Sequence, residues 1–246
     1  MGENKIRSIS LGDGRSFKKA FLRWEWMLVL LLIAVNVMNI AISPNYLNTK
    51  NLASTMKIFL DKGIVAITMT MVLLLGEIDI SVGSMMALSG TIMGLVGNAG
   101  GNFLEVALAG LLTGTLCGFF NGFLITRFTE LSSTIITLAN QIFFRGIALV
   151  ILENRAYAEF PAGVKFMSWG SVFNVPFILV FFLLEVIGIT YLVHFTTFGR
   201  SLFAMGRNIK ASYYSGVKTD QIKIAVFTMN GMAASISSLF LISKLA

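Results

Sequence analysis

Apolar and polar stretches alternate along the chain at a length that suits membrane crossings. Apolar runs extend from Trp24 to about Ile42, Phe59 to Leu75, Met85 to Val96, residues 103 to 126, Leu131 to Leu152, Phe177 to Val193 and Ile224 to about Ile242. A helix needs roughly 20 apolar residues to cross a bilayer core, so these runs predict about seven transmembrane helices. Polar connectors separate them: SPNYLNTKN after the first run, GEIDISVGS (Gly76–Ser84) after the second, GNAGGN after the third, and the long segments 153–175 and 196–223. The predicted fold is all-α and polytopic, with a cytoplasmic N-terminus. The domain division is a basic cytoplasmic tail over 1–23 and a single membrane domain over 24–246.

Within the runs, the period of the polar residues predicts packing. Asn36 and Asn39 share one face of the first helix and point to other helices rather than lipid. Gly110, Gly114, Gly118 and Gly122 fall on one stripe of the fourth, which lets another helix come close. In the segment 196–223, Asn208 is positioned to cap a helix, IKASYYS forms its body and Gly216 stops it. Two turns are too short to hold alone, so this helix needs support from elsewhere. Tyr157, Phe160, Phe166 and Trp169 make the segment 153–175 amphipathic, which sets it along the membrane surface.

Composition strengthens the membrane assignment: 56% of residues are apolar and 13% charged, against about 25% charged in soluble domains. The net charge of +7 does not form a nucleic-acid patch, because the basic residues stand at the ends of apolar runs, as orientation signals do. Placing the tail inside puts its six basic residues, Arg127 and the five of 196–223 on the cytoplasmic side. Lys50, Lys57, Arg155 and Lys165 then lie outside, the asymmetry that the positive-inside rule requires. A lone Cys117 and a lone His194 at the end of a run give no basis for a disulfide, a metal site or a Ser-His-Asp site.

Four residues carry candidate chemistry. Glu77 and Asp79 lie between apolar runs, and ionised groups near a bilayer core cost roughly 2.5–3.5 kcal/mol each on insertion scales. The residues alone favour a short cytoplasmic turn with both acids in water; the competing reading is a broken helix beside a transport path. Arg145 lies past the middle of the fifth run, where it snorkels or pairs with an acid, or contacts a ligand. Glu185 stands near the middle of the sixth.

TTFGR, GRN, the following alanine and SGV, between Thr196 and Val217, resemble the cytoplasmic signature of permease subunits of bacterial ABC sugar importers of the ribose, xylose, arabinose and rhamnose group. The chain follows that family at Thr197, Gly199, Arg200, Ala204, Gly206, Asn208, Ala211, Ser215 and Gly216, with Ser212 in place of a second alanine. GEIDISVGS is similar to the family's G-x-I-D-L-S-V-G, which implies a broken helix around Gly76–Ser84 rather than a solvated turn; GTLCGFFNG is similar to its G-x-x-x-G-x-x-N-G, and Arg145–Ala148 to its R-G-I-A. Ala139 and Asn140 replace a Gly-Thr pair, and Ser238 stands near a usual glycine. RWEWMLVLLLIAVNVMN from Arg23 and AYAEFP from Ala156 look most like the rhamnose permeases, and family members continue through further spans.

The resemblance implies a transmembrane permease subunit, not an enzyme, in the bacterial inner membrane. Its cytoplasmic loop 196–223 would hold a coupling helix, with Gly199, Arg200, Gly206, Asn208, Ala211, Ser215 and Gly216 as the residues that meet an ATP-binding subunit. The sequence has no G-x-x-x-x-G-K-[ST] loop, so ATP is expected on that partner and no cofactor on this chain. A second permease subunit, identical or related, and a periplasmic or lipid-anchored sugar-binding protein are the other partners implied. Asp79, Asn121, Asn140, Gln141 and Arg145 are the candidate substrate-path residues; a neutral sugar calls for hydrogen bonders rather than a counter-charge. The alternative is an ion-coupled secondary transporter working through Asp79, Glu77 or Glu185.

Overall fold

The computed structural model describes residues 24–43, 45–153, 160–172 and 175–245. The tail 1–23 and most of the AYAEFP stretch lie outside the described residues. The chain divides into two compact units, Met1–Leu52 and Ala53–Ala246. The first holds α1 (Trp24–Ile42), whose asparagines find partners locally: Asn36 and Asn39 donate to the carbonyls of Leu32 and Val35 one turn back, and Asn36 accepts from Tyr46. α2 (Thr49–Leu74) begins there and runs into the second unit.

The second unit continues with α3 (Val82–Asn98), α4 (Phe103–Arg127), α5 (Ser133–Leu152), a short α6 (Ala162–Trp169), a two-residue hairpin of β1 (Ser171–Val172) and β2 (Val175–Pro176), and α7 (Phe177–Phe195). It ends with α8 (Thr197–Arg207), α9 (Ile209–Tyr214) and α10 (Thr219–Leu245). Among the described residues, α4, α5, α7 and α10 are long and apolar enough to cross a membrane; α3 is apolar and shorter. The protein is a polytopic helical membrane protein, as its hydropathy pattern predicts.

α10 is the axis of this unit. Its small residues Gly231, Ala233, Ala234, Ser235 and Ser238 are buried where other helices cross it. The α4 glycine stripe meets it directly: a β-carbon at Gly114 would fall on the Gly231 carbonyl oxygen, and one at Gly118 on the Phe227 carbonyl oxygen. Ser238, near which the family resemblance expects a glycine, donates its hydroxyl to the Met86 carbonyl at 2.8 Å beside Gly90.

Ion pairs bracket α10. Lys223 pairs with Glu77 at one end, and Lys244 pairs with Asp61 at 3.0 Å at the other. The two lysines are about 31 Å apart along a helix rising 1.5 Å per residue, close to the thickness of a bilayer core. The Lys223 end also gathers the end of α4, the Gly76 segment, α8 and α9; the Lys244 end carries α6, tied on by Ser168, which donates to the Phe240 carbonyl and accepts nothing from solvent at 1% exposure. The Gly76 segment and the 196–223 loop therefore share one end of the unit, as alternating spans require.

Candidate functional site

Two features meet at the Lys223 end. The first is the connection between α2 and α3. The chain leaves α2 through a turn at Gly76, whose φ of +77° suits glycine, and runs extended to Ile80 before α3 begins at Val82. This stretch enters the bundle. Ile78 and Ile80 donate their backbone N–H groups to the hydroxyls of Ser133 and Thr137 on α5, so side chains replace the helical partners that the segment lacks.

Asp79 is 4% exposed. One carboxylate oxygen accepts from the Ser81 N–H at 2.9 Å and the Ser81 hydroxyl at 2.7 Å, and the other accepts from the Asn230 amide at 2.9 Å. From there the network runs both ways. Thr68 of α2 donates to Asn230, while Asn121 of α4 donates to Ser81 and accepts from Asn140 of α5. A chain of buried polar groups thus joins α2, α4, α5 and α10 through the extended segment. The reading of this segment as a solvated turn does not hold for Asp79, because Ser81 beside it supplies two donors and Asn230 of α10 a third, which makes its burial tolerable. Glu77, at the edge, takes Lys223 instead.

The candidate path residues divide in the structure. Asp79, Asn121 and Asn140 come together in this network: Asn140 donates to Asn121 directly, and Ser81 links Asn121 to Asp79. Arg145 lies roughly 140° around α5 from Asn140 at 100° per residue, on an exposed face. Gln141 sits between, with its side-chain oxygen buried and without a hydrogen-bond partner. Sequence reasoning singled out neither Asn230 nor Thr68, Ser81 or Asp61. Asn230 and Asp61 could have been found from one signal, a polar or ionisable side chain within an apolar run.

The second feature is the loop 196–223, which holds two helices where the sequence analysis expects one. α8 is strongly amphipathic and buries Gly199, Leu202 and Met205. Leu202 and Met205 pack in a cluster with Met71, Val72 and Leu75 of the α2 end, Ile125 of α4, and Val226 and Phe227 of α10. Gly206 lies so close to α2 that a β-carbon there would fall on the Leu74 carbonyl oxygen. α8 therefore presses on the residue just before the chain unwinds toward Asp79.

α9 matches its predicted ends. Asn208 accepts from the Ala211 N–H at 3.0 Å, and at the other end Gly216 (φ +85°) and Val217 donate to the carbonyls of Tyr213 and Ser212. This double return is a Schellman closure, which requires a left-handed residue at Gly216. Ser212 faces inward at 5% exposure and satisfies its hydroxyl on the Asn208 carbonyl. Ala211, Ser215, Gly216 and Tyr213 are exposed, and Tyr214 most of all at 86%. Arg200 is exposed on α8. Behind α9 lies a crevice of about 320 Å³ lined by Thr126, Thr129, Lys210, Asp220 and Lys223 among others.

Residues 51–246 match the family model described as branched-chain amino acid transport system, permease component. Among curated proteins, the chain is similar to the autoinducer 2 import system permease protein LsrC of Yersinia pseudotuberculosis serotype O:3 (strain YPIII), 33% identical over 182 residues, or 74% of this chain and 52% of that protein. The same permease of Yersinia pestis (strain Pestoides F) is 32% identical over the same shares. The chain thus spans about half the length of these relatives. No solved structure matches it.

Proposed function

The chain belongs to the family of transport-system permease components, and on that premise we propose that it is the transmembrane subunit of an ATP-binding cassette importer, moving a small neutral sugar across the bacterial inner membrane. Residues 24–246 form the permease domain and the loop 196–223 its coupling element. The observation that carries this reading is α9: a two-turn helix, capped at both ends, seated on the bundle through buried Ser212 and presenting Tyr213 and Tyr214 to a partner. The two rings pack edge to face on each other at the mouth of the crevice behind α9 and are otherwise exposed. Aromatic residues on a rigid element are the usual anchors of a protein interface.

In this mechanism an ATP-hydrolysing subunit grips α9 and moves it. Gly199, Arg200 and Gly206 belong to the lever behind it, α8, which passes the movement to Leu74 and so to the segment carrying Asp79. Asp79, Asn121 and Asn140 brace the wall of the path, and Gln141 and Arg145 stand on the adjoining face of α5. A second permease subunit completes the path, and a periplasmic or lipid-anchored binding protein delivers the sugar at the Lys244 end. The relatives are named for autoinducer 2 import; the stretch from Arg23 and the AYAEFP stretch favour rhamnose as this chain's cargo.

Detergent extracts of cells that express the chain with its ATPase subunit test the coupling role. Ala211→Glu puts a charge on the docking face, and Gly216→Lys forces a side chain into a left-handed position, at about 1–2 kcal/mol. Each variant should retain at most a tenth of the ATPase that co-purifies with the parent chain, while eluting as the parent does on gel filtration. Full retention by both variants would refute the docking role of α9.

A further inference from the structure

A cavity of about 280 Å³ opens at mid-depth between α2, α7 and α10. Thr68, Phe181, Met229, Met232 and Ile236 form its walls, and Glu185 is the one acidic residue among them. One carboxyl oxygen of Glu185 is buried and has no hydrogen-bond partner among the described residues. Eight residues of α7 precede Glu185 and ten follow, so it lies about 12–15 Å from either end of the helix. Lipid tails offer a carboxyl no donor, and a group placed there without one is costly. The wall is also the place where the central helix comes to the surface at mid-depth: Met232 is 43% exposed, although its neighbours Gly231 and Ala233 are buried.

Resting on the importer reading, we propose that this cavity is the sugar-contacting subsite of the path, and that Glu185 accepts hydrogen bonds from hydroxyls of a small neutral polyol. The network around Asp79 has its acceptors filled from within the chain, whereas Glu185 has a free acceptor and room in front of it. The methionine, isoleucine and phenylalanine side chains offer apolar surface to the C–H faces of a sugar ring. A cation is a poor fit, because hard cations need several oxygen ligands and no second carboxylate lines the cavity. The subsite is also connected. Thr68, on its wall, donates to Asn230, which donates to Asp79, so a ligand here touches the network that α8 adjoins at Leu74.

Thiol labelling in membranes of cells that co-express the partner subunits tests this. The parent chain is the blank, since its one cysteine, Cys117, is buried. Glu185→Cys and Met232→Cys should react with a membrane-impermeant, charged thiol reagent at least tenfold faster than Leu112→Cys on the outward face of α4. A panel of neutral pentoses and hexoses at saturating concentration should contain one that slows labelling of Met232→Cys at least fivefold, and Glu185→Leu in the same chain should remove that protection. Reaction no faster than at Leu112→Cys would overturn the proposal, as would labelling that every sugar leaves unchanged or that sodium alone slows. Either failure leaves the co-purification of an ATPase through α9 to stand or fall separately.

Discussion

A chain carrying Gly118→Leu is expected to reach the membrane and fail to fold there. The α4 backbone lies against α10 at this point, and a β-carbon would coincide with the Phe227 carbonyl oxygen; the atoms next nearest are the backbone of Gly231 at 3.0 Å. Neither neighbour is a side chain that can turn away, so the two helices must separate. α10 is the helix on which the other spans converge, and the separation spreads to each of them. Ordinary overpacking costs about 1–3 kcal/mol, and a clash with backbone on both sides belongs at or above the top of that range. Detergent-solubilised protein should fall at least fivefold in yield of the monodisperse peak. Gly188→Leu is the matched control, because its β-carbon would meet nothing within 4 Å, and its yield should stay near that of the parent.

Asp79→Ala should release the extended segment while leaving the helices in place. The carboxylate accepts three hydrogen bonds in a site 4% exposed, and alanine leaves the Ser81 N–H, the Ser81 hydroxyl and the Asn230 amide without their acceptor. Each buried donor left unmade costs about 1–3 kcal/mol, so a loss of roughly 3–5 kcal/mol of local stability follows once the Asn230 side chain turns toward its other neighbours. Asp79→Asn should rescue only part of this: its oxygen can still accept from the Ser81 N–H and hydroxyl, but its NH2 would then face the Asn230 amide, donor against donor. Hydrogen exchange reads the effect directly: the amides of Ile80 and Ser81 should exchange at least a hundredfold faster. Thr137→Val removes the acceptor of the Ile80 N–H and a long bond to the Ile78 carbonyl while leaving the bonds of Asp79 in place, and should accelerate Ile80 by about tenfold with Ser81 unchanged.

Much of this architecture is legible in the residues. Apolar runs of membrane length locate α1, α4, α5, α7 and α10 to within a few residues, because lipid allows few alternatives to a continuous helix. The ends of α9 are legible for a local reason: Asn208 and Gly216 act on their own backbone. The stripe from Gly110 to Gly122 announces a close crossing, although the partner helix is known only from the fold. α8 escapes because Gly199 and Gly206 read as turns, whereas both are points of contact within a helix whose buried face recurs at Gly199, Leu202 and Met205. α2 starts ten residues before its apolar run, since the stretch with Lys50 and Lys57 is helical but too polar to register as a span.

The site is harder to read for a physical reason. Whether a carboxylate between two apolar runs is solvated or buried depends on donors that arrive from distant parts of the chain. Asp79 is separated by 151 positions from Asn230, and nothing local to GEIDISVGS reveals that amide. The same holds for Asp61, whose partner is Lys244. Glu185 shows the converse, a carboxyl visible in the sequence whose buried oxygen finds no partner among the described residues.

The central claim is that energy enters this membrane domain through α9 from another subunit. It is tested most directly in vesicles that hold the chain with its ATPase and second permease subunit, by following uptake of a labelled monosaccharide with ATP supplied on the α9 side. The account predicts uptake that requires ATP hydrolysis, stops with vanadate and survives ionophores that collapse proton and sodium gradients. Uptake that proceeds without the ATPase and vanishes with either gradient would contradict it and assign the driving force to Asp79, Glu77 or Glu185.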